Sequence, residues 1–166
     1  MAPVRGMKLI VCSVAQRTPA WVSAGFSDYA RRMPREMPIE LIEVRPERRP
    51  AKALSGRQRA TLVAAEAARI RAALPRGCSI VALDETGRSF SSSEFARRLA
   101  HFRREGRDVA FVIGGADGLD PSFKQNAGLL LSLSAMTLPH QLVRVLLAEQ
   151  LYRGASLLRH HPYHRE

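Results

Sequence analysis

The chain has 166 residues, enough for one domain with a proper core, and an ordinary apolar fraction of 46%. Its charge is less ordinary: 26 Lys and Arg stand against 15 Asp and Glu, a net +11 that favours polyanionic partners, since each neutralised phosphate releases counterions. Several classes are excluded, because no apolar run nears the roughly 20 residues of a membrane span and two cysteines cannot build a disulfide framework.

Met7–Ala15 is too short and too soon interrupted for a signal peptide, so a cytoplasmic, reducing location is expected. The basic residues are almost all arginine, whose fork matches phosphate oxygens and stacks on bases. An arginine-rich genome would give the same bias.

In chain order, residues 1–6 read as an unstructured extension. A first strand is expected over Lys8–Ala15, and a helix then opens at Thr18-Pro19, with Thr18 as cap and Phe26, Tyr29 and Met33 on one stripe. A second strand covers Ile39–Val44. The basic, proline-containing stretch Arg45 to Gln58 has no periodicity and reads as a mobile surface loop. A second helix runs from about Arg57 to Leu74, with Leu62, Ile70 and Leu74 available to the core.

A third strand is expected over Ser79–Leu83. The Ser91-x-x-Glu94 capping box then starts a third helix, with Phe95, Leu99 and Phe102 at buried spacing. Strands over Val109–Ile113 and Leu131–Met136 follow, with a short helix after Asp120-Pro121 between them. A final helix spans Pro139 to Leu158. This alternation predicts a single α/β domain: a mostly parallel sheet of five or six strands with helices on both faces.

The first strand-to-helix turn, Ala15-Gln-Arg-Thr-Pro19, holds no glycine, which argues against a Rossmann dinucleotide site or a Rossmann-type methyltransferase. Glycines come instead after the fourth strand, in Gly114-Gly-Ala-Asp-Gly118, where a plain tight turn is the competing explanation. In open α/β sheets, ligands lie at the carboxyl ends of strands. Leu83 with its polar loop, Gly114, and the segment Ser134–Leu138 therefore define one expected cleft.

His140 and Arg144 lie one turn apart at the start of the last helix, where the dipole disfavours imidazolium. A neutral His140 there can accept a proton, or can simply cap or pack. Glu149 and Arg153 read as a structural ion pair. Leu142, Leu146, Leu147, Leu151 and Ala155 offer more apolar surface than one face needs, which hints at a subunit interface. His160, His161 and His164 lack the companion ligands of a metal site, so no metal is expected. The tail over 160–166 reads better as a flexible segment that binds RNA, with Tyr163 stacking on a base. Basic clusters at Arg31, Arg32 and Arg35, at Arg45 to Lys52, and at Arg97 to Arg107 suggest an RNA-facing surface.

From Met7 to Glu166 the chain resembles the bacterial ribosomal RNA large subunit methyltransferase H family, a branch of the SPOUT methyltransferases. The residues that carry the resemblance include Trp21 to Arg32, Ile39-Glu-Leu-Ile-Glu43, Leu83-Asp84, Ile113-Gly-Gly-x-x-Gly118-Leu, Leu131-Ser-x-Ser-x-Met-Thr-x-Pro-His140, Glu149-Gln-Leu-Tyr-Arg153 and Tyr163-His164. The resemblance implies a C-terminal trefoil knot and a homodimer. It also implies methyl transfer from S-adenosylmethionine to N3 of a pseudouridine in 23S rRNA of the assembled ribosome. The cofactor residues it implies are Leu83, Gly114 and the run Leu133, Ser134, Ala135, Met136, Thr137 and Leu138. The stretch from Arg45 to Leu62 departs from the family's lysine-rich form, and Glu66-Ala67 stands where Glu-Gly is common.

On this reading His140 and Arg144 sit near the reacting base, and Tyr163 and His164 close over the substrate. Two rivals are a non-catalytic ribosome-associated RNA-binding module and a nucleotide-phosphate enzyme using Gly114–Gly118. The latter lacks a P-loop lysine.

Overall fold

The computed structural model describes residues 5–164, with His164 described by its backbone alone. Five parallel strands form one sheet in the order β2-β1-β4-β3-β5: β1 (Leu9–Val14), β2 (Ile39–Val44), β3 (Ser79–Ser89), β4 (Val109–Ile113) and β5 (Leu129–Ser132). The helices are α1 (Ala20–Arg32), α2 (Gly56–Ala73), α3 (Ser92–Glu105), α4 (Pro121–Gln125) and α5 (His140–Leu158), followed by a 3-10 turn at Pro162–His164. Two of the three interior strands, β1 and β4, are buried at every residue, as suits strands covered on two faces.

The two-residue period of the strands sorts their side chains between two cores. Leu9, Val11, Val81, Val109, Phe111 and Ile113 face α1, α3 and α5, where they meet Phe26, Phe95, Leu99, Phe102, Leu147 and Leu151. Cys12, Val14, Ala82 and Val112 face α2 and α4, where they meet Ala67, Ile70, Leu119 and Phe123. Burial pushes the Cys12 thiol up to about 12, so it serves as an inert core side chain.

Several expectations need correction. The first helix is not capped by Thr18: Pro19 is the N-cap and no side chain bonds there. The second helix begins earlier, where Ser55 and Gln58 form a reciprocal capping box, and it buries Val63, Glu66 and Ala67 as well as Ile70. The strand expected over Leu131–Met136 is instead Leu129–Ser132, and the third strand extends beyond Leu83 to Ser89.

That last difference shapes the site. Leu83 and Arg88 both pair with Leu131, so residues 84–87 bulge out of the ladder as a loop anchored at both ends on β5. Gly87 makes this possible, because a Cβ there would lie 2.7 Å from the Leu130 carbonyl carbon.

The stretch from Arg45 to Gln58 is tied down rather than free. Arg49 donates from Nη1 to Glu66 Oε1 at 2.8 Å and from Nε to Asp117 Oδ2 at 2.7 Å. The Glu47 amide also donates to Glu66 Oε1 at 3.0 Å. Glu66 is 2% exposed, and this carboxylate is what the loop folds over. Burying a charge requires partners, and the arginine supplies one.

Candidate functional site

At the carboxyl ends of β3, β4 and β5 lies a cavity of about 850 Å³. Three segments wall it: the bulged loop after Leu83, the turn Gly114–Gly118, and the segment from Leu133 to His140 that leads into α5. The size suits a drug-sized organic ligand. In the glycine turn, a Cβ on Gly114 would stand 2.6 Å from the Gly118 carbonyl carbon. Gly118 itself has φ +75, in the left-handed region that favours glycine. At its three glycines the turn presents backbone to the cavity, and Asp117 adds a carboxylate to the wall.

Hydrogen bonds and ion pairs fix each of the three walls. Lys124 of α4 donates to Asp84 Oδ2 at 2.9 Å, and the Thr86 amide donates to Asp84 Oδ1, also at 2.9 Å. Burial pushes the Asp84 carboxyl upward, but these bonds from Thr86 and Lys124 win and hold it below the usual carboxylate range. Thr137 donates its hydroxyl to Glu85 Oε2 at 2.6 Å, linking the bulged loop to the segment before α5. Asp117 is held on Oδ2 by Arg49 and on Oδ1 by Arg59 at 3.2 Å.

Of the cofactor residues expected from the resemblance, Leu83, Gly114, Leu133, Ser134, Met136, Thr137 and Leu138 line this cavity, and Ala135 does not. His140 lines it as well. Its imidazole is held below the ordinary histidine value by burial first, then by the Arg144 and Arg49 charges. The ring is accordingly neutral near pH 7, as a proton acceptor requires.

Arg144 is placed differently: it is 0% exposed and lies away from the cavity lining. Its Nη1 reaches Thr18 Oγ1 and Glu43 Oε1, both at 3.4 Å, while Nε and Nη2 have no partner among the described residues. Arg144 thus ties the first turn of α5 to the loop before α1 and to the end of β2.

Tyr163 sits at the opposite end of α5. It donates to Glu149 Oε1 at 3.1 Å and meets the Tyr152 ring edge-on at 4.6 Å. The Arg153 guanidinium lies 5.1 Å from its ring centre. Burial, then the neighbouring Tyr29 and Glu149, push the phenol above its ordinary value. The His164 side chain lies outside the described residues, as do residues 165 and 166. No cluster of potential metal ligands occurs among the described residues, and none of their helices is long and apolar enough to cross a membrane.

Sequence reasoning missed Asp117, Lys124 and Arg59 as cavity residues. Each acts through a long-range ion pair, which leaves no local pattern. The Asp84-Glu-Thr86 run was visible as a polar loop at a strand end, but not the pairing that neutralises one carboxylate and leaves the other.

Residues 7–164 match the family described as "Predicted SPOUT methyltransferase". Among relatives, the ribosomal RNA large subunit methyltransferase H of Burkholderia multivorans is 54% identical over 159 residues, covering 96% of this chain and 99% of that protein. The protein of the same name from Ralstonia pickettii is 52% identical with the same coverage. Among solved structures, a probable methylase family protein from Haemophilus influenzae shares the fold with a TM-score of 0.51 at 14% identity, covering 99% of this chain and 72% of that one. TrmJ from Z. mobilis also has a TM-score of 0.51, at 12% identity, over 90% and 70% of the two chains. With a match over nearly its whole length and relatives more than half identical to it, this chain belongs to the SPOUT methyltransferase family.

Proposed function

We propose that the chain is an S-adenosylmethionine-dependent methyltransferase acting on N3 of a pseudouridine in 23S rRNA, within the assembled ribosome and in the cytoplasm. The observation that carries this reading is the cavity at three strand ends, in a chain 54% identical to a ribosomal RNA large subunit methyltransferase H.

The donor set fits the cofactor. Gly114–Gly118 and the Leu133–Leu138 segment offer main-chain amides and carbonyls to a nucleoside, and Leu83, Ile113 and Leu131 offer apolar contact. The cations there, Lys124 and Arg59, are already paired with carboxylates, which disfavours a phosphate ligand. When bound, S-adenosylmethionine supplies an electrophilic methyl group on a sulfonium. The loops hold the reactants in one geometry and exclude water, and the neutral His140 ring accepts the N3 proton of the target base.

Two copies complete the site in this reading. His140 and Arg153 are thirteen residues apart on α5, about 20 Å along a helix, so Tyr163 lies well away from His140 of its own chain. For Tyr163 and His164 to meet the same substrate, a second copy must bring them. Trp21, 60% exposed on α1, and Leu146, 37% exposed on the adjoining α5, supply apolar surface for a homodimer. Exposed Arg31, Arg35, Arg45, Arg48, Lys52, Arg97, Arg104 and Arg107 supply the charge for rRNA.

Mass mapping of 23S rRNA from cells with and without the gene tests this. One methyl group on a pseudouridine disappears in the deletion and returns with the gene. An unchanged modification map overturns the substrate, and calorimetry showing no binding of S-adenosylmethionine would favour an RNA-binding module.

A further inference from the structure

The cavity differs in charge from the rest of the molecule. The chain carries a net +11, yet the ionised groups on the cavity wall are Arg59 and Lys124 against Asp84, Glu85 and Asp117. Lys124 neutralises Asp84 at 2.9 Å, and Arg59 and Arg49 neutralise Asp117 at 3.2 and 2.7 Å. Glu85 has no cationic partner among the described residues. Its polar contact is the hydroxyl of Thr137, which donates to Oε2 at 2.6 Å and fixes the carboxylate between two of the three walls. Oε1 accepts no hydrogen bond among the described residues. A basic protein thus keeps one uncompensated negative charge, oriented by a neighbour, at the edge of its main cavity. That arrangement repels phosphate and attracts a small cation.

We propose that Glu85 is the residue by which this site tells the cationic methyl donor from its neutral-sulfur product. The inference rests on the cofactor reading given above. S-adenosylmethionine carries a positive charge on sulfur that S-adenosylhomocysteine lacks, while their ammonium, ribose and adenine groups are the same. A carboxylate facing the sulfonium therefore favours the donor and favours departure of the product once the methyl is gone. Lys124 and Arg59 do not cancel this, because each is already committed to another carboxylate.

Calorimetric titration of the full chain with each ligand provides the test, comparing the wild type with Glu85→Gln and Glu85→Asp. Glu85 is solvent-exposed and outside both cores, so neither substitution removes core packing. For a charge pair in a largely solvated setting, Glu85→Gln weakens S-adenosylmethionine about three- to tenfold and leaves S-adenosylhomocysteine within about twofold. Glu85→Asp, which keeps the charge, retains the preference for the donor. Equal weakening of both ligands would overturn the proposal by assigning Glu85 to a shared group, and unchanged affinity for both would overturn it outright. A wild type that binds neither ligand would bring down the cofactor reading, and the inference with it.

Discussion

The two ends of α5 are built on opposite principles. Toward the C-terminal end Glu149 accepts from Arg153, Gln150 and Tyr163, and the Tyr29, Tyr152 and Tyr163 rings meet in sequence, first tilted and then edge-on. At the N-terminal end no side chain caps the helix, the His140 ring is partly buried, and two nitrogens of the buried Arg144 have no partner among the described residues. Saturated networks hold a helix in place. Unsatisfied groups beside a cavity are where proton affinities shift and chemistry is found. The far end of the helix is thus held by a fuller network than the end that meets the cavity, where Arg144 alone ties the first turn to Thr18 and Glu43.

Substitutions at the two ends should part company in what they damage. The largest effect expected is on turnover: His140→Ala reduces methylation by about a hundred- to ten-thousand-fold and leaves S-adenosylmethionine affinity near normal. Single-turnover kinetics with unmodified ribosomes reads this directly, and an unchanged rate would remove His140 from the mechanism. At the far end the loss is one of stability. Glu149→Ala removes the carboxylate that accepts from the Tyr163 hydroxyl and costs about 1–3 kcal/mol in chemical denaturation, with cofactor affinity kept. If it instead abolished cofactor binding at full stability, the contrast between the two ends would fail.

The smallest effect is on pH. His140 is held below its ordinary 6.5, so folding favours the neutral ring and the folded chain binds fewer protons there than the unfolded one. This group's stabilising contribution to the neutral form is complete above 6.5 and fades as pH falls through the folded-state value. The acid limb of kcat/KM should accordingly lie below 6.5. Arg49→Met removes one of the charges that depress the ring and moves that limb upward. A limb that stays in place would show that burial and Arg144 account for the shift.

What could be read from the sequence was what depends on near neighbours. The Ser91–Glu94 box located α3 and its Phe95, Leu99 and Phe102 face, and Asp120-Pro121 located α4, because caps act within one turn. Thr18 has the same residue type and misled for a physical reason: its hydroxyl meets Arg144, 126 positions away, rather than the helix. The loop after β2 looked mobile because its anchor, Arg49, finds partners at Glu66 and Asp117 that no local pattern reveals. The polar run Asp84 to Gly87 hid the return of β3 to pair again with β5, since polarity ordinarily ends a strand. The glycine turn and the Ser134–Leu138 segment were expected at a cleft because they follow strand ends, and most of them line the cavity, while the ion pairs that fix its wall left no local pattern.

The double registration of β3 on Leu131 makes the four residues between Leu83 and Arg88 a measured spacer. Asp84, Glu85 and Thr86 can change side chain as far as the sheet is concerned, whereas Gly87 admits no Cβ against Leu130. Adding or deleting even one residue would force a strand to slip, turn its inward face outward, and reshape the ligand chamber and the edge of the sheet in a single stroke.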